Sequence, residues 1–304
     1  MTWFEKLDEA IEKYLPDLPV ERDVPMSRFT SFRIGGPAQR VACPKNREQL
    51  VILLGLARDC GARPFVMGNG TNLLAPDEGL ERLVVRTAGG MDAVRLLDET
   101  TIEADAGISL ARLALFAQNA GLTGLEFAHG IPGSLGGAVF MNAGAYGGEM
   151  KQVVQEVTVL TEEGIARVSE EKCDFGYRRS AFSDGKSVIL GAKLRLSQGD
   201  REEIGAKMAQ LMAKRKSSQP LEFPSAGSTF KRPEGYFAGT LIQETGLKGL
   251  TVGGAQVSQK HAGFVINIGG ATCRDVCALI REVQEKVQQA HGVTLEPEVK
   301  IIEN

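Results

Sequence analysis

The sequence has almost no excess charge of either sign, few aromatic residues and no long apolar run. Lys and Arg number 35 against 38 Asp and Glu, so the net charge is -3 at pH 7 and no nucleic-acid partner is predicted. The longest apolar stretch, near residues 50–57, is far shorter than the roughly 20 residues that span a bilayer. The first fifteen residues lack the pattern of a signal peptide. We therefore expect a cytoplasmic protein without a membrane partner.

Cysteine is also scarce, and the five cysteines are an odd, widely spaced set: Cys43, Cys60, Cys173, Cys273 and Cys277. Such a set is not typical of a disulfide framework. Cys273 and Cys277 lie four residues apart on one face of a predicted helix, but His291 is the only histidine near them in the sequence. We predict buried thiols and no metal site.

Glycine, in contrast, is in excess: 36 of 304 residues, where an average composition would give roughly 7%. Nine of these glycines lie between residues 121 and 148, and ten lie between residues 227 and 270. Clustered glycine in a folded protein indicates positive φ angles or close approach of the backbone to another group. Both regions are therefore candidates for ligand contact.

The periodicity of apolar residues predicts α/β organisation. Residues 3–14 have helical spacing, Asn46 and Ser109 are positioned to cap further helices, and the run 64–68 is typical of a short buried strand. Gly35-Gly36 is predicted to be a turn between two strand-like runs. Residues 91–197 are predicted to contain more strands than helices, and polar or amphipathic helices are predicted near 201–215 and 275–290.

The first glycine loop follows the strand at 64–68 and covers Gly68, Asn69, Gly70, Thr71, Asn72 and Leu73. Glycines there let backbone N–H groups form an anion-binding nest, and the polar side chains add donors. A dinucleotide fingerprint would need glycine where Leu73 stands. A Rossmann site is therefore not predicted, and a plain surface turn is the alternative.

The second loop covers Gly130, Ile131, Pro132, Gly133, Ser134, Leu135, Gly136, Gly137 and Ala138. Ser134 is positioned to cap a short helix whose N-terminus faces a phosphate; tight structural packing is the alternative. Two glycine loops without a Rossmann pattern suggest a bulky diphosphate cofactor between two α/β units, and FAD fits that description better than NAD.

Polar residues outside the loops supply candidate chemistry. Tyr177-Arg178 places a guanidinium that can fork onto a carboxylate beside an aromatic ring. Ser228 stands among small residues and offers an accessible hydroxyl, without the elbow of a hydrolase. Glu296 and Glu298 face the same side of a strand pattern. Each has a plainer alternative: Arg178 as a surface cation, Ser228 as an ordinary loop hydroxyl, and the two glutamates as part of a solvated strand face.

Taken together, six motifs resemble the UDP-N-acetylenolpyruvoylglucosamine reductase (MurB) family. In chain order they are TSFRIGGPA, GNGTNLL, GLEFAHGIPGSLGGAVFMNAGAYGGEM, FGYRRSAF, PSAGSTFKRP and LEPEV. The resemblance implies a mixed α+β and α/β fold: a two-part FAD-binding domain of the vanillyl-alcohol-oxidase type, followed by an α+β substrate domain. We expect the subdomains at 1–90 and 91–200 and the substrate domain at 201–296. In the family the C-terminal tail often returns toward the first FAD-binding subdomain, so residues 297–304 are left open as a possible part of that subdomain.

The resemblance also implies roles for individual residues. Ser228 matches the proton donor, Arg178 the catalytic arginine and Glu298 the catalytic glutamate, with Glu296 as its rival. Tyr177 and Lys231 are expected to line the substrate. The cofactor-contacting residues carried over are Gly68, Asn69, Gly70, Thr71, Asn72, Leu73, Gly130, Ile131, Pro132, Gly133, Ser134, Gly136, Gly137, Ala138, Asn142, Ala143 and Gly144. The region after Arg178 is short, so the chain resembles the shorter family form, which lacks an inserted substrate-tyrosine loop.

The implied reaction is NADPH-dependent reduction of UDP-N-acetylglucosamine enolpyruvate to UDP-N-acetylmuramate through non-covalently bound FAD, by a protein expected to be a monomer. Two alternatives stay open. One is another FAD-dependent oxidase or dehydrogenase of the same superfamily. The other is a catalytically silent nucleotide-binding module. A flavin absorption spectrum and turnover of the enolpyruvyl substrate distinguish the three.

Overall fold

A computed structural model describes residues 1–303, which divide into two compact units. The first unit contains residues 1–21, 40–69 and 82–215. The second contains residues 22–39, 70–81 and the chain from Lys216 onward. The chain thus passes from one unit to the other several times before residue 82.

The elements of the described residues are numbered in chain order. Helices α1 to α7 span Trp3–Tyr14, Arg47–Asp59, Leu110–Asn119, Leu135–Phe140, Arg201–Ser218, Ala238–Glu244 and Cys273–His291. Strands β1 to β18 span Val20–Pro25, Pro37–Ala42, Pro64–Met67, Leu73–Leu74, Leu80–Arg86, Val94–Leu96, Thr101–Asp105, Leu122–Thr123, Gly144–Ala145, Gly148–Glu149, Val154–Thr161, Gly164–Ser169, Val188–Arg195, Ser197–Gln198, Thr251–Val252, Ala255–Val257, Val265–Asn267 and Lys300–Ile301.

The helix starts follow the capping residues in the sequence. Thr2 and Glu5 form a capping box at α1, and the predicted caps Asn46 and Ser109 accept backbone N–H groups at the starts of α2 and α3. These side chains satisfy N–H groups that have no partner within the helix. The three predicted helices are therefore confirmed.

The first unit holds two hydrophobic cores, and two main sheets lie beside them. The first sheet has the order β1-β2-β5-β3, with β3 and β5 parallel, and the core beside it includes Leu7, Leu53 and Val85. The second sheet has the order β12-β11-β13-β7-β6 and is antiparallel throughout. Its core draws on residues between 102 and 208. The three-part domain division stays a prediction, because a split into two compact units does not test subdomains within one of them.

The second unit is organised around α7. The antiparallel sheet β15-β16-β17 and helix α6 share a core with the apolar face of α7, which buries Val276, Leu279 and Val283. The tail forms β18, whose Lys300 and Ile301 pair in parallel with Leu73 and Leu74 of β4. The tail therefore returns to an early segment of the chain, and both belong to the second unit.

One predicted strand is absent. Residues 29–34, the run before Gly35-Gly36, form turns in which Thr30 N–H donates to Met26 O at 3.1 Å and the Thr30 hydroxyl donates to Ile34 O at 3.0 Å. Local hydrogen bonds of this kind compete with strand pairing, and the fully buried Phe32 fixes the turns against the core of the second unit.

Along residues 1–303, none of the helices has both the length and the apolar composition needed to cross a bilayer.

Candidate active site

In the first unit the start of one glycine loop meets the middle of the other. A Cβ atom on Gly68 would collide with Ser134 Oγ, so no larger residue fits at position 68. Asn69 Nδ2 donates to Pro132 O at 3.4 Å. Ser134 itself bridges Ser109, at the start of α3. The two predicted loops are thus in contact through Gly68 with Ser134 and Asn69 with Pro132, and their contact with a cofactor stays a prediction.

Ser134 is the N-cap residue of α4, as its position predicts, but its side chain makes no capping hydrogen bond. The N–H groups of Leu135 and Gly136 donate instead to Ile108 O and Ala106 O at 2.9 and 2.8 Å. These two donors tie the loop to the chain after β7 and are not available to a phosphate. This is a correction to the predicted helix-terminus site, which relied on the first N–H groups of the helix.

The Ser134 hydroxyl is buried and has no hydrogen-bond partner within residues 1–303. A buried polar group without a partner costs about 1–3 kcal/mol, so such a group in a folded protein calls for a ligand or another explanation. A hydroxyl between two glycine loops suits a phosphate or a flavin polar atom. The cradle therefore fits the diphosphate cofactor expected from the sequence. Gly136 packs against Ala106 and Ala138 is buried in the core, so these two small residues serve packing within the protein.

The second half of the first loop lies in the second unit. Gly70 has a φ of +64° and its carbonyl accepts Ser31 N–H at 3.1 Å, and Thr71 lies in the turn before β4. Asn72 Nδ2 donates to Glu298 O at 3.1 Å, and Leu73 pairs with Lys300. Asn72 therefore contacts the segment of the candidate glutamate, a role that its place in a glycine loop did not indicate.

Asn142 is buried and fully committed to protein contacts. Its Nδ2 donates to Glu149 Oε2 at 2.8 Å and to Gly176 O at 3.1 Å, and its Oδ1 accepts Lys151 N–H at 2.9 Å. Any contact of this residue with a cofactor would come from its backbone. The side chain instead joins the chain before Ala143-Gly144 to the turn that carries Arg178.

Arg178 occupies a strained turn. Gly176 and Arg179 exchange backbone hydrogen bonds of 3.0 and 3.3 Å, and Arg178 at the third position has a φ of +55°. A turn of this shape favours glycine there, and another residue costs about 1–3 kcal/mol. The guanidinium lies 5.1 Å from the exposed Tyr177 ring and donates to Gly144 O at 3.4 Å. The hydrogen bonds of this strained turn hold the half-buried guanidinium at a fixed place beside the Ala143-Gly144 segment.

Ser228 is exposed, and its neighbour Thr229 is buried. Thr229 N–H donates to Gly263 O at 2.8 Å, and its hydroxyl accepts Val265 N–H at 2.9 Å. The carbonyl of Thr229 accepts Glu298 N–H at 2.8 Å. The segment is thus fixed through Thr229, and the Ser228 hydroxyl is presented outward from it.

The structure distinguishes the two candidate glutamates. Lys231 N–H donates to Glu296 O at 2.8 Å, and the Lys231 ammonium forms an ion pair with the Glu296 carboxylate. Glu298 lies half-buried, with its backbone held by Thr229 on one side and Asn72 on the other. The pairing makes Glu296 a partner of Lys231, and the choice of Glu298 as the catalytic glutamate stays a prediction.

A cationic and aromatic cluster in the first unit escaped the sequence analysis. Lys214 Nζ lies 5.5 Å from the Tyr146 ring, and Arg215 approaches Gly130. Tyr146 and Gly147 have φ of +55° and +87° in the tight turn between β9 and β10. The signal in the sequence is the Lys214-Arg215-Lys216 run at the end of a predicted helix, but a charge run is usually only a solvated helix face.

The candidate catalytic residues are divided between the units: Arg178 and Tyr177 belong to the first, and Ser228, Lys231 and Glu298 belong to the second. Among residues 1–303, no three His, Cys, Asp or Glu side chains form a group that could hold a metal ion.

Two family models match the chain. The model described as "FAD binding domain" matches residues 38–169, and the model described as "UDP-N-acetylenolpyruvoylglucosamine reductase, C-terminal domain" matches residues 219–302. The two matches confirm the predicted fold class, an FAD-binding domain followed by a C-terminal substrate domain.

Curated relatives match over nearly the whole chain. A UDP-N-acetylenolpyruvoylglucosamine reductase of Agathobacter rectalis is 47% identical, with 97% of each chain covered. The protein of the same name from Caldanaerobacter subterraneus subsp. tengcongensis is 46% identical, with 98% of each covered. Among solved structures, the reductase (MurB) from Thermus caldophilus is 38% identical with a TM-score of 0.81, covering 94% of this chain and 100% of that one. The chain belongs to the UDP-N-acetylenolpyruvoylglucosamine reductase family.

Proposed function

We propose that this chain reduces UDP-N-acetylglucosamine enolpyruvate to UDP-N-acetylmuramate, with NADPH as the reductant and FAD as the bound cofactor. The observation that carries the proposal is the 47% identity over 97% of the chain to a relative that bears the name of this activity. The local geometry supports it, since Ser228 is exposed, Arg178 is held in a fixed turn and Glu298 is separated from the ion pair of Glu296.

The FAD would be held in the first unit by the cradle of Gly68, Asn69 and residues 130–138. The unpartnered Ser134 hydroxyl would donate to the cofactor, and Gly68 leaves room for the Ser134 side chain. When bound, FAD supplies the hydride that adds to the vinyl carbon of the substrate. The flavin is held without a covalent bond.

Arg178 would bind the carboxylate of the enolpyruvyl group. Hydride addition places negative charge on the carbon next to that carboxylate and on its oxygens. A guanidinium fixed in advance stabilises this charge without reorganising during the reaction. The hydrogen bond to Gly144 O and the packing on Tyr177 orient the fork. Tyr177 would line the same part of the substrate.

Ser228 would donate the proton to the carbon that carries the new charge. A serine hydroxyl is a weak acid, so its proton must be delivered to a strongly basic carbon and replaced afterwards. Glu298 would orient this transfer, and Lys231, neutralised in part by Glu296, would lie beside it. General acid catalysis of this kind contributes about 10²–10⁴-fold to a rate.

We also propose that the chain acts as a monomer in the cytoplasm. All five cysteines are free thiols, which is typical of proteins from reducing compartments. Light scattering after gel filtration measures the oligomeric state.

Separate measurement of the two half-reactions tests the proposal. In Ser228→Ala, NADPH should reduce the flavin at close to the wild-type rate, while reoxidation by the enolpyruvyl substrate should slow by about 10²-fold or more. Ser225→Ala, in the same segment, is the matched control and should reoxidise normally. Equal reoxidation rates in both variants would remove Ser228 from the mechanism. Oxygen consumption with simple alcohols, or purification without flavin, would contradict the proposed function itself.

A further inference from the structure

An open cleft of about 720 Å³ lies in the second unit at the start of α7. Its walls are residues 76–78, the first turns of α7 and residues 301–303. Two thiols, Cys273 and Cys277, line the α7 wall. The proposed reaction assigns them no role.

The two cysteines form a pair. Cys273 is the first residue of α7 and Cys277 follows one turn later, so both side chains project from the same face of the helix. Cys273 is buried and Cys277 is half-buried. The more accessible thiol therefore lies one helical turn after a buried one on the same face of α7.

The surroundings make the two thiols unequal. The neighbouring Cys273 thiol, together with the charge of the exposed Arg281 one further turn along, lowers the pKa of Cys277. The neighbouring Cys277 thiol and burial raise the pKa of Cys273. Asp77 opposes the ionisation of both thiols, but its carboxylate is occupied by the N–H groups of Cys273 and Arg274, at 2.7 and 3.1 Å. A thiolate at Cys277 next to a protonated thiol is the arrangement of an attacking and a resolving cysteine.

We propose that Cys273 and Cys277 form a redox modification site, in which a hydroperoxide oxidises Cys277 and Cys273 converts the product to an intramolecular disulfide. In the first step the Cys277 thiolate attacks the peroxide, the O–O bond breaks and an S–O bond forms. Sulfur loses two electrons, and the departing oxygen takes a proton from water to give an alcohol or water. In the second step the Cys273 sulfur displaces hydroxide from the sulfenic acid, and its own proton leaves with that hydroxide as water.

The other cysteines lack this combination. Burial raises the pKa of Cys173 to about 11, and its thiol donates to Ser169 O at 3.3 Å. Burial also raises the pKa of Cys43. Cys60 is half-buried at the C-terminal end of α2. These three thiols serve as internal references.

Closing the disulfide requires a small movement. Residues four apart on a helix have Cβ atoms about 5–6 Å apart, while a disulfide needs about 3.5–4.5 Å. Because Cys273 is the terminal residue of α7, it can move inward at the expense of its hydrogen bond to Asp77. The resulting disulfide should be strained and readily reduced by a mild dithiol.

Peptide mapping of the full-length holoenzyme tests the site. Protein is treated with hydrogen peroxide, remaining thiols are blocked and the chain is digested with trypsin. Cleavage after Lys260, Arg274 and Arg281 places the two cysteines in separate peptides, 261–274 and 275–281. We expect these peptides to be joined as the first oxidised product and to separate on reduction. Absence of the joined pair, or earlier oxidation of Cys43, Cys60 or Cys173, would overturn the proposal.

Three variants assign the roles. Cys273→Ser should trap the sulfenic acid, so that dimedone labels peptide 275–281, while Cys277→Ser should leave peptide 261–274 unlabelled. Arg281→Ala should slow formation of the joined pair about threefold, because the gain in thiolate is partly offset by lower nucleophilicity. Cys60→Ser is the matched control and should form the pair at the wild-type rate. Dimedone labelling in Cys273→Ser that is no faster at Cys277 than at Cys60 would contradict the assignment.

Discussion

Two segments of this protein hold candidate catalytic side chains by opposite means. Arg178 stands in a strained turn, with a φ of +55° in a position that favours glycine. Ser228 is not among the residues with positive φ and is fixed by the hydrogen bonds of its neighbour Thr229 to Gly263, Val265 and Glu298. The first segment is closed by backbone hydrogen bonds within itself, in addition to its contacts with Asn142 and Gly144, and the second is fixed through partners distant in the sequence.

The two segments differ in which substitutions would displace them. A turn such as 176–179 is closed by two local hydrogen bonds, so its shape depends mainly on residues within it. The Ser228 segment depends on chain 35 or more residues away, so substitutions that do not touch Ser228 should still displace it. Backbone strain in the turn already lowers the free energy of unfolding in the wild-type protein. The hydrogen bonds between Thr229 and distant residues lower it only when one partner is removed.

The largest expected effect concerns the two glutamates beside the Ser228 segment. Glu298→Gln should slow flavin reoxidation by the enolpyruvyl substrate by about 10²-fold, because it removes the carboxylate proposed to orient proton transfer. Glu296→Gln is the matched control. It breaks only the ion pair with Lys231, for which surface values are about 0–1 kcal/mol. Single-turnover stopped-flow reoxidation measures both, and the reverse ranking would make Glu296 the functional carboxylate.

The next effect concerns Thr229, whose hydrogen bonds hold the Ser228 segment in place. Thr229→Val should lower the free energy of unfolding by about 1–3 kcal/mol, because the buried Val265 N–H loses its acceptor. The same variant should slow reoxidation, since Ser228 is no longer held. Thr229→Ser retains the hydroxyl and should recover most of both quantities. Urea unfolding monitored by fluorescence gives the first and stopped flow the second. Unchanged unfolding in Thr229→Val would show that the hydrogen bond does not hold the segment.

The smallest expected change in stability concerns Arg178, and its sign is opposite to that of the change in activity. Arg178→Gly should raise the free energy of unfolding by about 1 kcal/mol, because glycine relieves the positive φ, and should abolish efficient turnover. Arg178→Lys retains the charge and the strain but loses the fork, so its turnover should fall without a gain in stability. Ser228→Gly should gain no stability. A loss of stability in Arg178→Gly would show that packing on Tyr177, rather than backbone strain, dominates at this turn.

Much of the secondary structure could be predicted from local signals. The caps Asn46 and Ser109 and the apolar spacing of α1, α2 and α7 act within a few residues of each helix start, and the structure confirms them. The prediction of a strand at 29–34 was wrong, because side-chain hydrogen bonds and the burial of Phe32 outweighed the strand-like composition of this run. Ser134 illustrates the same limit in the site, since its position as an N-cap was predictable but its unpartnered hydroxyl was not.

The sequence alone was enough to identify the glycine loops, the motif residues Arg178, Ser228 and Glu298, and the Cys273–Cys277 spacing, because each is a local pattern. Tertiary structure alone separated Glu296 from Glu298, turned Asn72 toward Glu298, committed Asn142 to protein contacts and placed the two thiols in a cleft. These outcomes depend on hydrogen bonds and burial between residues that are distant in the chain, and no local pattern records which distant group will supply the partner.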